Sequence, residues 1–229
     1  MSHHRHAPDD TDPAAAPWLS SFHSPAALAR LLITAAVGLA LDLATKVWSF
    51  NALAYNRITY PDGSQQVQSH TYLFIPGWLH FHVTGNHGAV FGMGQGNRWW
   101  FVAVSVLAIG FLFYLFGTSR LGQRAYQLII GMLLAGVLGN LYDRIVYGYV
   151  RDMIYMLPGR TWPAWMAERL PADWEWTRGP VFPWIFNVAD TLLCTGVALM
   201  LVYSVVMSRR HRQEQEASGA AATAEPAKS

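Results

Sequence analysis

The chain has 229 residues, of which 52% are hydrophobic and 13% charged. That charged share is about half the ~25% typical of soluble domains, and ten Trp, ten Tyr and eleven Phe exclude a disordered chain for most of the length. One cysteine, Cys194, excludes a disulfide framework, and a net charge of +2 without a basic stripe argues against a nucleic-acid partner.

Residues 1–25 are polar, rich in His, Asp, Pro and Ala, and lack an apolar run. They read as a tail, and the first span as an uncleaved signal anchor. Crossing a bilayer takes about 20 mostly apolar residues at ~1.5 Å each. Four stretches qualify, at about 27–50, 99–117, 125–145 and 184–207; segments 51–98 and 146–183 are too polar and too rich in Gly and Pro to supply a fifth. Within the first of these loops, Trp78-Leu-His-Phe-His-Val83 alternates with period two and reads as a strand. Together with 58–60 and 67–74 it predicts a small sheet over the bundle, followed by a tight loop at Asn86-His-Gly88-Ala89. In the second loop Trp162, Trp165, Trp174 and Trp176 stand among charged residues, which fits an amphipathic segment lying at the headgroups. That segment is either a lid over a site or a decoration without a mechanistic role. Residues 213–229, rich in Gln, Glu, Ala and Ser, read as a disordered tail. The expected fold class is an all-α membrane protein, a four-transmembrane-helix bundle with a small extracytoplasmic sheet and an interfacial segment. Its organisation is a tail over 1–25, a four-span domain over 26–208 and a tail over 209–229.

An even number of spans puts both termini on one side. The raw Lys/Arg count is balanced across the membrane, but Arg209, Arg210, Arg212, Arg120 and Arg124 crowd against span ends on the proposed cytoplasmic side. All tryptophans except Trp18 fall at or beyond the opposite boundary, where an aromatic belt would sit. Both termini are therefore expected in the cytoplasm.

Polar residues gather at that outer boundary. Asp42 and Lys46 share a face of span one, Asn140, Asp143 and Arg144 share the end of span three, Asp152 follows in the outer loop, and Asn187 and Asp190 open span four. The inner halves of the spans are almost purely apolar. An ionisable group deep in a bilayer costs roughly 2.5–3.5 kcal/mol or more, so these side chains should face the bundle interior or water. Two classes stay open on this evidence: a hydrolase using paired carboxyl groups, and a small transporter or channel with an intramembrane proton or ion pathway. A non-catalytic membrane scaffold is a third. Four histidines, at 70, 80, 82 and 87, cluster in the first outer loop, but no Cys or His-Glu-x-x-His helix joins them, so no metal is expected. Cys194 reads as a small apolar filler facing other helices, with no basic partner to generate a thiolate.

Five local strings are more specific: Asp42-Leu-Ala-Thr-Lys46, Thr84-Gly-Asn-His-Gly-Ala-Val-Phe91, Gly139-Asn-Leu-Tyr-Asp-Arg-Ile145, Gly148-Tyr-Val-Arg-Asp-Met-Ile154 and Phe186-Asn-Val-Ala-Asp-Thr191. In this order the set resembles the lipoprotein signal peptidases (type II signal peptidases), four-span aspartic proteases of bacterial inner membranes. The resemblance spans roughly 27–207. It implies a peptidase that removes the signal peptide from diacylglyceryl-modified prolipoproteins, just before the lipidated cysteine. It further implies Asp152 and Asp190 as the catalytic pair, with Asn86, Gly88, Asn140, Asp143, Arg144, Asn187, Asp42 and Lys46 in support or at the substrate. No cofactor is implied; membrane lipid is the other partner, and a monomer is expected. Two carboxyls about 3 Å apart cannot both ionise easily, so they can share a proton and supply acid and base together. Asn140 and Asn187 can hold carboxylates or substrate backbone without adding charge. Asp143 reads either as a structural pair with its neighbour Arg144 or as a group that helps orient the site, rather than as a third catalytic acid. Two departures stand out: the long insert between Asp152 and Asn187, and Arg151, where a less charged residue would be expected and which reads as a headgroup contact.

Overall fold

A computed structural model of the chain describes residues 20–59, 65–88, 97–169 and 179–224. After a 3₁₀ turn at Ser20–His23, α1 runs Pro25–Leu53. Its start is set by Pro25 at the first helical position and by Ser24, whose side chain accepts from the Ala27 N–H at 3.3 Å. Helix α2 spans Arg98–Gly117, α3 Arg124–Val146, the short α4 Ala164–Ala167, and α5 Val188–Ala224. Four of these, α1, α2, α3 and α5, are long and apolar enough to cross a membrane. Their outward faces carry Leu32, Val37, Leu107, Phe111, Leu201 and Val202, all exposed as lipid-facing positions would be.

Helix α3 is central and packs against α1, α2 and α5. Small residues make the approach close. A Cβ on Gly136 would lie 2.6 Å from Leu193 Cγ and 2.7 Å from the Ala189 carbonyl of α5. Ala27, Leu31, Leu112, Phe116, Ile130 and Leu134 form the apolar core away from the sheet. Beneath it lies a buried polar exception. Gln127 is fully buried, donates to Arg120 O at 3.2 Å and Ser119 Oγ at 3.3 Å, and accepts from Arg30 Nε at 2.8 Å. The first of these bonds satisfies a backbone carbonyl of the loop between α2 and α3.

At the other end, β1 (Ala54–Thr59) pairs antiparallel with β2 (Gln65–Ser69). A second, antiparallel sheet runs in the order β3 (Thr71–Ile75), β4 (Leu79–Asn86), β5 (Val150–Met156), β6 (Ile185–Phe186). Gly148, at φ +85°, makes the sharp turn from α3 into β5, a conformation costly for other residues. Strand β5 alternates over Val150–Met153. Tyr149, Arg151 and Met153 turn toward Phe50 of α1, while Val150, Asp152 and Met156 line the cavity described below. Asp152 thus sits on a central strand and not in a loop, because the whole of Val150–Met153 is buried.

Two boundaries differ from the sequence reading. The fourth helix starts at Val188 rather than 184, since Ile185 and Phe186 pair with Tyr155 and Ile154 as β6. It then continues to Ala224, so 213–224 is helical where disorder was expected; Ala, Glu, Gln and Arg are strong helix formers. Of the Trp-rich insert, α4 and its flanks are described, with Trp165 exposed and a stem closed by the Thr161–Pro180 bridge. Trp174, Trp176 and the chain ends at 1–19 and 225–229 lie outside the described residues.

Candidate active site

The site is built where the sheet meets the helix ends. The orphan N–H groups at the start of α5 are satisfied by a reciprocal cap. Asn187 Oδ1 accepts the Asp190 N–H at 2.9 Å, and Asp190 Oδ2 accepts the Asn187 N–H at 3.3 Å. Asp42 reaches across from α1 and accepts the Ala189 N–H at 2.9 Å. A side chain on Gly139 would strike Asp42 Oδ2, so only glycine leaves room for that cap.

Both candidate catalytic carboxyls are held by carboxamides. Asp152 accepts from Asn187 Nδ2 at 2.6 Å and from Asn86 Nδ2 at 3.0 Å. The register explains the second contact: Thr84 opposes Asp152 and Asn86 opposes Val150, so Asn86 and Asp152 are diagonal neighbours on one face. Asp190 accepts from Asn140 Nδ2 at 2.8 Å. Asn140 and Asn187 are themselves joined at 3.2 Å. One continuous amide network therefore touches both acids. Burial above all, and then the nearby charge of Asp190, push the Asp152 carboxyl up to about 8, against the pull of Asn86, Asn187 and Lys46. A buried carboxyl that keeps its proton near neutral pH beside a second one can accept and donate protons in a single step.

Behind the pair lies a set of buried charges. Lys46 Nζ is 2.8 Å from Asp42 Oδ2 and 3.1 Å from Asp143 Oδ2, and donates to Asn140 Oδ1 at 3.3 Å. Asp143 does not pair with Arg144, as the sequence reading had it. It is gripped by Arg151, whose Nη2 and Nε lie 2.8 and 3.0 Å from Oδ1 and whose backbone N–H reaches Oδ2 at 2.9 Å. The reason is geometric: adjacent helical residues point about 100° apart and cannot face each other. Arg144 instead turns to the cavity, donates to Gly88 O and Asn140 O, both at 3.4 Å, and lies over the Phe101 ring. Arg151 is buried, with its guanidinium 4.3 Å from the Tyr147 ring centroid, so it is not a headgroup contact. Gly88 donates its N–H to Asn86 Oδ1 at 3.0 Å and so orients the Asn86 amide toward Asp152.

Helices α2 and α5 splay apart on α3 and leave a cavity of about 940 Å³ in front of the acids. Its polar end carries Asn86, Asn140, Arg144, Asp152 and Asp190; its walls are Phe101, Val104 and Ala108 of α2 and Leu193 of α5. Cys194 is exposed on this wall rather than packed between helices. Two contributors were missed from the sequence. The role of Arg151 was misread as a headgroup contact, because its burial follows from where the strand packs. The aromatic chain of Phe182, Trp184 and Phe186 at the rim carried only its composition. Among the described residues no three His, Cys, Asp or Glu side chains are grouped to hold a metal.

Four spanning helices and a strand-borne acid facing a helix-borne one, both opening into an apolar cavity, define a polytopic membrane protein equipped for acid–base chemistry on a partly apolar ligand. The model of the signal peptidase II family matches residues 34–206. A lipoprotein signal peptidase of Listeria monocytogenes serotype 4a is 32% identical over 136 residues, covering 59% of this chain and 75% of the relative. One from Shigella boydii serotype 4 is 34% identical over 143 residues, covering 59% and 73%. The fold is similar to a bacterial membrane enzyme solved in meso at 2.3 Å, with a TM-score of 0.57 and 24% identity over 77% of this chain and 88% of that one. The chain belongs to the signal peptidase II family and is an integral membrane protein.

Proposed function

We propose that this protein is an aspartic endopeptidase that removes the signal peptide from diacylglyceryl-modified prolipoproteins, cutting just before the lipidated cysteine. The observation that carries the reading is the presentation of two amide-held carboxyls, Asp152 and Asp190, at the polar end of one lipid-sized apolar cavity. The ionised member of the pair takes a proton from water as its oxygen attacks the scissile carbonyl, while the protonated member donates to the carbonyl oxygen. Collapse of the tetrahedral intermediate breaks the C–N bond, and the proton first taken from water passes to the departing cysteine nitrogen. Asn86, Asn140 and Asn187 hold the carboxyls in place, and Arg144 and the Gly88 turn flank the incoming backbone. Acyl chains occupy the cavity between α2 and α5, which keeps them in lipid while the peptide bond reaches water.

The enzyme sits in the bacterial inner membrane with both termini cytoplasmic, the sheet and site extracytoplasmic, and acts as a monomer. Arg120, Arg124, Arg209, Arg210 and Arg212 at the end opposite the sheet support this orientation. The apolar core of Leu31, Phe116, Ile130 and Leu134 lies between the site and the Gln127 network, which weighs against an ion pathway. The test is cleavage of a diacylglyceryl-modified prolipoprotein by purified enzyme in vesicles. Asp152→Asn and Asp190→Asn are each expected to lose about 10²–10⁴-fold; a folded variant of either that cuts at the parent rate refutes the pair.

A further inference from the structure

Four buried charges stand behind the acid pair, contributed by three elements: Asp42 and Lys46 of α1, Asp143 of α3 and Arg151 of β5, all with side chains at most 4% exposed. They sum to zero. Within this set Asp143 has two claimants, Lys46 on one oxygen and the guanidinium of Arg151 on the other. Lys46 has a further task, because its ammonium also holds Asn140 Oδ1, and Asn140 holds Asp190. How far Lys46 leans toward Asp143 therefore decides how much positive charge the acid pair feels.

We propose that Arg151 is a positioning residue which, by saturating Asp143 from behind, keeps Lys46 on Asn140 and so sets the pH range in which Asp152 and Asp190 share one proton. The strand makes this possible, since alternation sends Arg151 to the core face while Asp152, one residue on, faces the cavity. The rings of Tyr147 and Phe50 hold the guanidinium at 4.3 and 6.0 Å. Its backbone N–H is spent on Asp143 as well, so strand and side chain together grip one carboxylate. A lysine there would keep the charge but lose the fork. The charged and titratable groups around the pair are Lys46 and Asp42 from α1, Asp143 and Arg144 from α3, and His87 beyond β4. Tyr149 shares the core face of β5 with Arg151, and Arg57 of β1 bears on that tyrosine. Of these only Lys46 and Arg144 bring positive charge to the acids, and only Lys46 is shared with Asp143.

This rests on the peptidase reading above, and the test separates the two. Cleavage is followed across pH in vesicles for the parent, Arg151→Met, Arg151→Lys, Asp143→Asn and the double variant Asp143→Asn/Arg151→Met, with Asp152→Asn as the control. Losing Arg151 draws Lys46 onto Asp143, favours the neutral form of Asp152 and moves both limbs of the pH profile up by about one unit, the low end of what a neighbouring charge does to a buried carboxyl. Losing Asp143 frees Lys46 and moves them down. The double variant, with nothing left to draw Lys46 away, moves them down as Asp143→Asn does, and Arg151→Lys keeps the parent limbs at reduced turnover. If Arg151→Met does not fold, the downward shift of Asp143→Asn and its persistence in the double variant still decide. Limbs that stay in place in Asp143→Asn, or a double variant that returns to the parent position or shifts up, overturn the proposal. An active Asp152→Asn overturns instead the peptidase reading beneath it.

Discussion

Asn187 performs three tasks with a single carboxamide: its Nδ2 donates to Asp152 and to Asn140, and its Oδ1 caps α5 at the Asp190 N–H. Serine and alanine separate these tasks. Asn187→Ser retains a cap of nearly equal quality, so stability should stay within a few tenths of a kcal/mol, whereas Asn187→Ala loses about 1 kcal/mol. Both lose the 2.6 Å hydrogen bond to Asp152. A hydrogen bond to a neutral group is worth about 0.5–1.5 kcal/mol, and each 1.36 kcal/mol is tenfold in rate. Turnover should therefore fall about 2- to 12-fold in both variants. The assay pairs single-turnover cleavage of the lipid-modified precursor in vesicles with the thermal midpoint in detergent. Ser at parental turnover, or Ser as destabilised as Ala, would refute the division of labour.

Gly139→Ala places a methyl against Asp42 Oδ2 and 3.3 Å from Ala189 Cβ; loss of the α5 cap should cost a few kcal/mol, seen as a lowered midpoint together with lost cleavage. Stability should also depend on pH through Asp152. Its folded value of about 8 lies above the ordinary 3.8, so the folded chain keeps a proton that the unfolded chain has released. The stabilisation is full below the unfolded value and is lost as pH rises through the folded one, by about 1.4 kcal/mol per pH unit at the steepest. Denaturant midpoints from pH 4 to 9 should show this slope in the parent and lose it in Asp152→Asn. Cleavage should persist after dialysis against EDTA, since the proposed chemistry runs through carboxyl groups alone; chelator-sensitive turnover would overturn that mechanism.

The spans were legible because uncharged apolar runs have one structural solution in lipid, and the strand at Leu79–Asn86 because its alternation has period two. Asp152 was read into a loop because a strand buried on both faces shows no alternation. The start of α5 could have been placed from Asn187 and Asp190, a cap signature three residues apart, behind a Pro-containing segment. That Asp143 and Arg144 cannot meet also follows from helical geometry alone. The grip of Arg151 on Asp143 was not readable. It depends on the turn at Gly148 bringing β5 back along α3, a tertiary event with no local periodicity. Cys194 was misassigned because apolar surroundings in sequence do not distinguish a helix face that meets another helix from one that meets a cavity.

Asp42, near the beginning of the chain, closes the first turn of the last helix, some 150 residues later in synthesis. A nascent protein still lacking that final segment thus has neither a finished terminus for Asp42 to cap nor a second acid to face Asp152. On the proposed acid pair, proteolytic competence would therefore arrive in one step, when the last hydrophobic rod docks.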